Sequence, residues 1–199
     1  MAAVAKERLK SPRARLFVAL DLPDDLRRGI VAWGRGALAD PALRPVAPEA
    51  LHITLAFLGH RPEKEIEAIA RVVEESAAPA PWVELRDPEQ RPPRGRARLF
   101  ALPTISPGAE ALQAGLEQKL VEGGFYKPEK RPFWPHVTVA RVRPEARGVR
   151  RPAVVSEPPG PLPRELTEPR SSVRMTLYRS VLQPQGAQYA PLAQVELPG

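Results

Sequence analysis

Two short stretches constrain this chain more than anything else in it. "HITLA" at residues 52–56 and "HVTVA" at residues 136–140 share one pattern: His, β-branched aliphatic, Thr, aliphatic, Ala. On a β-strand, side chains two apart point to the same face. His52 and Thr54 then share one face while Ile53 and Leu55 share the other. His136 and Thr138 stand in the same way against Val137 and Val139. Each strand needs an apolar core behind it and presents polar groups in front. The chain has only three histidines, and two of them occupy this setting 84 residues apart. A single His-x-Thr arises often by chance; a matched pair that uses two of three histidines is far less accidental. His60, outside either repeat and beside Gly59, reads as a surface loop residue at a strand end.

The rest of the chain supplies elements around these strands. "RLFVALDL" (15–22) is short, apolar and bounded by proline, which suits a central strand. Residues 23–38 open with Pro23, Asp24 and Asp25 and read as a helix. A second helix over 62–76 carries Ile66, Ile69, Val72 and Val73 at helical spacing, and a third over 106–124 closes on Gly123-Gly124. Strands are expected at 82–87 and 97–103, around the connection "RPPRGR", and as a closing pair at 172–182 and 187–197. Residues 144–170 hold many prolines and few periodic apolar residues, so they read as a long irregular segment. Each histidine strand belongs to one half, and each half holds a long helix. Two αβ lobes related by approximate duplication follow, with no composition break to mark separate domains. The expectation is one bilobal domain over 1–199, with residues 1–14 as a flexible tail.

Composition excludes several classes. No apolar run approaches the roughly 20 residues of a membrane helix, and "MAAVAKERLKSPRAR" lacks the apolar region of a secretory signal. Zero cysteines rule out disulfides, a thiol nucleophile and thiolate metal sites. A cytoplasmic location without membrane attachment is expected. The formal net charge of +7 favours encounter with anionic partners, nucleic acid foremost.

Two strands presenting His and Thr to one groove would supply two imidazoles and two hydroxyls to a single pocket. Imidazoles with an unperturbed pKa near ~6.5 suit paired acid–base work. One takes a proton from an attacking water while the other gives one to a leaving oxygen. That arrangement suits transfer at phosphorus, with the threonine hydroxyls donating to non-bridging oxygens. No metal or cofactor is called for, and pseudo-symmetry leaves either histidine free to be acid or base.

"LHITLAFLG" and "PHVTVAR" resemble the paired signature motifs of the two-histidine (2H) phosphoesterase superfamily. The similarity is to its RNA 2′,3′-cyclic phosphodiesterases, also called 2′-5′ RNA ligases. "RLFVALDLP", "FWPHVTVAR" and "LYRSVLQPQGAQYAPLA" extend it in the correct order along the chain. The resemblance implies an α+β fold: bilobal and pseudo-symmetric, with two antiparallel sheets flanking a central cleft and helices outside. It implies His52 as proton donor to the departing ribose oxygen, His136 as the base that activates water, and Thr54 and Thr138 as phosphate contacts. It implies opening of an RNA terminal 2′,3′-cyclic phosphate to a 2′-phosphate, with 2′-5′ joining of tRNA halves in vitro by some members. A monomer is expected.

Arg141 matches the family's arginine five residues after the second histidine, and a guanidinium suits phosphate oxygens. Five is an odd offset, so Arg141 joins the site only at a twist, bulge or strand end; otherwise it makes a surface or packing ion pair. Phe57 is its counterpart in the first motif and either stacks on a terminal base or packs in the core. "RPPRGRAR" (91–98) and "FYKPEKRPFW" (125–134) mix cations with, in the second, four aromatics, a single-strand RNA recipe. Competing functions are a phosphodiesterase of small cyclic nucleotides or 2′-5′ oligoadenylates, and an RNA-binding module without turnover.

Overall fold

After its first residue the opening strand, β1 (Arg13–Asp21), has no exposed position, which places it inside a sheet and not at an edge. In the computed structural model, which describes residues 12–183 and 186–198, β1 is flanked on both sides. Its neighbours are β3 (His52–Pro62) and β9 (Arg174–Gln183), and β9 in turn pairs with β10 (Gly186–Glu196). Most of the expected N-terminal tail lies outside the described residues. Arg13 and Ala14, assigned to that tail from sequence, belong to β1 instead, because they register against Pro62 and Arg61.

The second histidine strand is β7 (His136–Val142), flanked by β6 (Leu99–Ile105) and by β2 (Leu43–Pro45). β6 also pairs with β4 (Trp82–Leu85) and β5 (Glu89–Arg91), and β4 with the two-residue β8 (Arg170–Ser171). All of these pairings are antiparallel. The fold is α+β, and the two expected sheets are joined edge to edge in the order β10-β9-β1-β3-β7-β6-β4-β8. Their junction is one registered pair, Ile53 with Val137. Both residues are fully buried, so the seam is apolar on the core side. Continuing that antiparallel register sets His52 opposite Thr138 and Thr54 opposite His136.

Helices cover the core side. α1 (Asp24–Ala37) starts with Asp24 and Asp25 at its positive end, which the helix dipole favours. α3 (Pro107–Glu122) is capped by Ser106, whose Oγ accepts from the Ala109 N–H at 3.2 Å. It buries Ala109, Leu112, Leu116 and Leu120, one stripe at helical spacing. α2 (Ile66–Glu75) buries Ile69 and Val73 and packs against β9, β10 and α3. A short α4 (Arg164–Thr167) lies against α1, and a Cβ on Gly29 would overlap Leu166 Cδ2. Glycine at that crossing lets the two helices approach this closely. No helix among the described residues is long and apolar enough to cross a membrane.

Four elements escape the sequence patterns. β2, β5, β8 and α4 are two to four residues long and too short to show a period. His60 also moves: it lies within β3, not in a loop, because the strand keeps pairing with β1 through Gly59 and on to Pro62.

Candidate active site

The two histidine strands repeat one backbone path. Their burial patterns coincide over six residues, from His52 to Phe57 and from His136 to Arg141. In each, two consecutive residues after the threonine are buried, which a regular strand with one polar face forbids. The register supplies the reason. Ala19 pairs with Thr54 and Val18 with Ala56, so Leu55 is an extra residue in β3. Ala101 pairs with Thr138 and Phe100 with Ala140, so Val139 is extra in β7. A β-bulge therefore sits three residues after each histidine and resets the alternation.

The bulges settle on which face the two odd-offset residues stand. Phe57 registers against Phe17, which shares its face of β1 with Ala19 and hence with Thr54. Arg141 registers against Leu99, which shares its face of β6 with Ala101 and hence with Thr138. Both side chains are exposed on the cleft side of the sheet. Phe57 is not a core residue: it is 42% exposed, with the Arg15 guanidinium 4.6 Å from its ring centroid. Arg141 makes no ion pair among the described residues and lines a cavity of about 510 Å³ with Arg15, Arg44 and Tyr189.

His52 sits among aromatic rings. Phe17 stacks on its imidazole at 5.1 Å, Tyr178 lies at 6.1 Å and Tyr189 approaches edge-on at 5.5 Å. Its Nδ1 is buried, with no hydrogen-bond partner among the described residues. Burial of the ring, with His136 close enough to add its charge, pushes the His52 pKa from its ordinary 6.5 down to about 4. The imidazole is thus neutral near neutrality unless an anion enters beside it.

Beneath this cage lies Asp21, buried and directly across β1 from His52. Thr176 Oγ1 and Tyr178 Oη each donate to its carboxylate at 2.9 Å. Burial raises the Asp21 pKa, against those two hydroxyls and Arg174. Burial, with the carboxylate beside it, pushes the Tyr178 phenol up to about 12, so its proton stays in the bond to Asp21. Tyr178 is thereby held where it flanks His52.

His136 is held differently. Its Nδ1 lies 2.7 Å from the Trp134 carbonyl oxygen, which can only accept, so Nδ1 carries the proton. In the neutral ring the lone pair then sits on Nε2. The Trp134 indole stacks on the same imidazole at 4.0 Å, and the Arg91 guanidinium lies 3.8 Å from the indole centroid. Burial lowers the His136 pKa, the Trp134 carbonyl works against it, and the Arg91 cation lowers it further. Among the described residues no three His, Asp or Glu side chains converge to hold a metal ion.

Sequence reasoning names the two histidines and threonines, Arg141 and Phe57, and the structure brings all six to the cleft face. It does not single out Phe17, Asp21, Arg91, Trp134, Tyr178 or Tyr189. Arg91 and Trp134 belong to the two basic stretches suspected of substrate contact, and they meet each other over His136. The others come from strands whose pairing partners no local pattern reveals.

A family model described as the 2′-5′ RNA ligase superfamily matches residues 22–162. An RNA 2′,3′-cyclic phosphodiesterase of Thermus thermophilus is 32% identical over 192 residues, 93% of this chain and 91% of its own length. One of Escherichia coli is 31% identical over 180 residues, 89% of this chain and 93% of that protein. The crystal structure of Escherichia coli LigT complexed with 3′-AMP superposes with a TM-score of 0.74 at 28% identity, covering 94% of this chain and 99% of that one.

Proposed function

The chain belongs to the 2′-5′ RNA ligase superfamily, and from that premise we propose that it hydrolyses RNA 2′,3′-cyclic phosphate ends to 2′-phosphates. The observation that carries this reading is the pair of bulged His-x-Thr strands meeting at Ile53 and Val137. They turn two imidazoles, two hydroxyls and one guanidinium toward the same cleft.

Water attacks phosphorus while His136 Nε2 takes its proton; the Nδ1–H bond to the Trp134 carbonyl supports this orientation. The P–O3′ bond breaks, and O3′ takes a proton from His52. Thr54, Thr138 and Arg141 donate to the non-bridging oxygens as charge builds on them. His136 leaves the cycle protonated and His52 neutral, and exchange with solvent restores both. A bound phosphate anion raises the His52 pKa from its depressed value, so substrate entry itself charges the acid. Phe57 stacks on the terminal base. Both histidines come from one chain, which supports action as a monomer on RNA ends such as those of tRNA halves. The 3′-AMP held by the LigT relative is a nucleotide of the kind such a cleft would take.

The test is incubation with an oligoribonucleotide ending in 2′,3′-cyclic phosphate, in the presence of EDTA. A 2′-phosphate product supports the reading. A 3′-phosphate product would reverse the leaving group, and binding without turnover would leave an RNA-binding module.

A further inference from the structure

Among the described residues nothing anchors the His52 imidazole at Nδ1, whereas a carbonyl anchors the His136 ring there. The direction of His52 toward a leaving oxygen then depends on the rings packed around it. Phe17 and Tyr178 lie nearly parallel to the imidazole, at 27° and 25°, and to each other, at 19°. Tyr189 closes the stack edge-on from β10, the outermost strand. Tyr178 is the ring tied at its far end, where Oη donates to Asp21 Oδ1 at 2.9 Å. Three rows across the sheet explain the tie. Tyr178, Phe17 and Phe57 form one row, Thr176, Ala19 and Thr54 the next, and Arg174, Asp21 and His52 the third. Alternation puts Phe17, Ala19 and Asp21 on one face of β1. Ala19 carries no side chain beyond Cβ, so Tyr178 can lie along the sheet over the middle row and reach Asp21. A carboxylate in this place is a poor stabiliser. Asp21 is buried, and Arg174, its ion-pair partner at 3.3 Å, is shared with Glu196. Desolvation offsets most of what such a pair gains, and apolar residues often replace buried pairs without loss. Two hydroxyls and a guanidinium converge on Asp21 all the same, which fixes its carboxylate and, through it, the Tyr178 ring.

We infer that Asp21 is a positioning residue for the proton donor: through Tyr178 it holds the His52 imidazole aimed at the departing oxygen. The inference rests on the function proposed above and deepens it. Asp21 acts on His52 through the tyrosine ring and adds nothing to substrate affinity. A misaimed donor slows the chemical step, and a displacement of ~1 Å can cost about 10²-fold. The loss therefore falls on kcat and leaves KM nearly unchanged.

The test uses D21N, Y178F and the double variant, each assayed on an oligoribonucleotide ending in 2′,3′-cyclic phosphate, with NMR spectra of the imidazoles recorded beside wild type. Three histidines give three sets of ring resonances, so His60 and His136 serve as internal references. D21N and Y178F should each lower kcat about ten-fold, with KM within about two-fold of wild type. The double variant should also lose about ten-fold, not about a hundred-fold, because both changes break one hydrogen bond. The His52 resonances, shifted by the rings stacked on them, should move in both variants while those of His60 and His136 stay. Should D21N fail to fold, Y178F keeps both the ring and the carboxylate and carries the test alone. Near-normal kcat, a loss confined to KM, additive losses in the double variant or unmoved His52 resonances would each overturn the inference and leave the hydrolytic function standing. Absence of turnover in wild type would instead remove that function, and the His52 resonances would then report by themselves whether Asp21 holds the ring.

Discussion

In β3 and β7 one backbone path carries two histidines into different surroundings. The strands share their burial pattern, their bulge three residues past the histidine and an exposed residue five past it. The imidazoles share little else. His52 is wrapped by Phe17, Tyr178 and Tyr189, and its Nδ1 meets no partner among the described residues. His136 is fixed by a carbonyl on Nδ1 and by an indole under an arginine. A repeated backbone delivers equivalent positions, while the neighbouring strands decide what each histidine can do with its proton. The acid–base distinction therefore lives in residues outside the motif, and substitutions there separate the two halves.

Removing either imidazole is the strongest test of shared duty. His52→Ala and His136→Ala should each lower kcat by at least about 10³-fold, near the upper range for one acid or base. The double variant should be little worse than the poorer single one, since the two act as a unit. Near-normal rates in either single variant would sink the paired scheme. Circular dichroism and Tm should show the fold intact. Next in size come the threonines. Thr54→Ala and Thr138→Ala should each cost about 10² in kcat, in the range for one preorganised donor to a charged oxygen. A large loss from only one of them would break the symmetry on the phosphate side.

The two His-x-Thr pairs are legible in the sequence alone. Alternation sets His52 with Thr54 and His136 with Thr138, because two-residue periodicity is local. The places of Phe57 and Arg141 are not legible there. They depend on Leu55 and Val139 being extra residues, and a bulge exists only relative to a partner strand. The aromatic cage is hidden for the same reason. Phe17 and Tyr178 become neighbours of His52 through the pairings of β1 with β3 and β9, over separations no local pattern spans. Elements such as β2 escape from another cause: three residues ending in proline carry no period, yet β2 brings Arg44 against Arg141.

The environment of His52 also has a cost in stability, and its sign can be worked out. A histidine with a folded pKa of about 4 binds fewer protons than its unfolded counterpart near 6.5. Stability is then fully present above the unfolded value and is lost as pH falls through this window toward the folded one. The loss should reach about 3 kcal/mol at most. His52→Phe fits the cage and removes the titration, so urea unfolding of this variant should lose less stability than wild type between those two pH values. Parallel loss in both would place the acid sensitivity elsewhere.

The smallest expected effect concerns the other imidazole. Arg91 stands over Trp134, which stacks on His136, and its charge helps hold the His136 pKa down. Replacing it by glutamine keeps polar bulk and removes the cation. The His136 pKa then rises, so the acid limb of the kcat/KM profile, where the base becomes protonated, should move to higher pH. At a pH on that limb the rate should fall about two-fold; on the plateau it should hardly change. Trp134→Ala removes the stack as well as its link to Arg91, and should lower kcat several-fold at every pH. If R91Q instead lowered the rate uniformly, Arg91 would be acting on the substrate, and the clamp around His136 would reduce to the Trp134 carbonyl and indole.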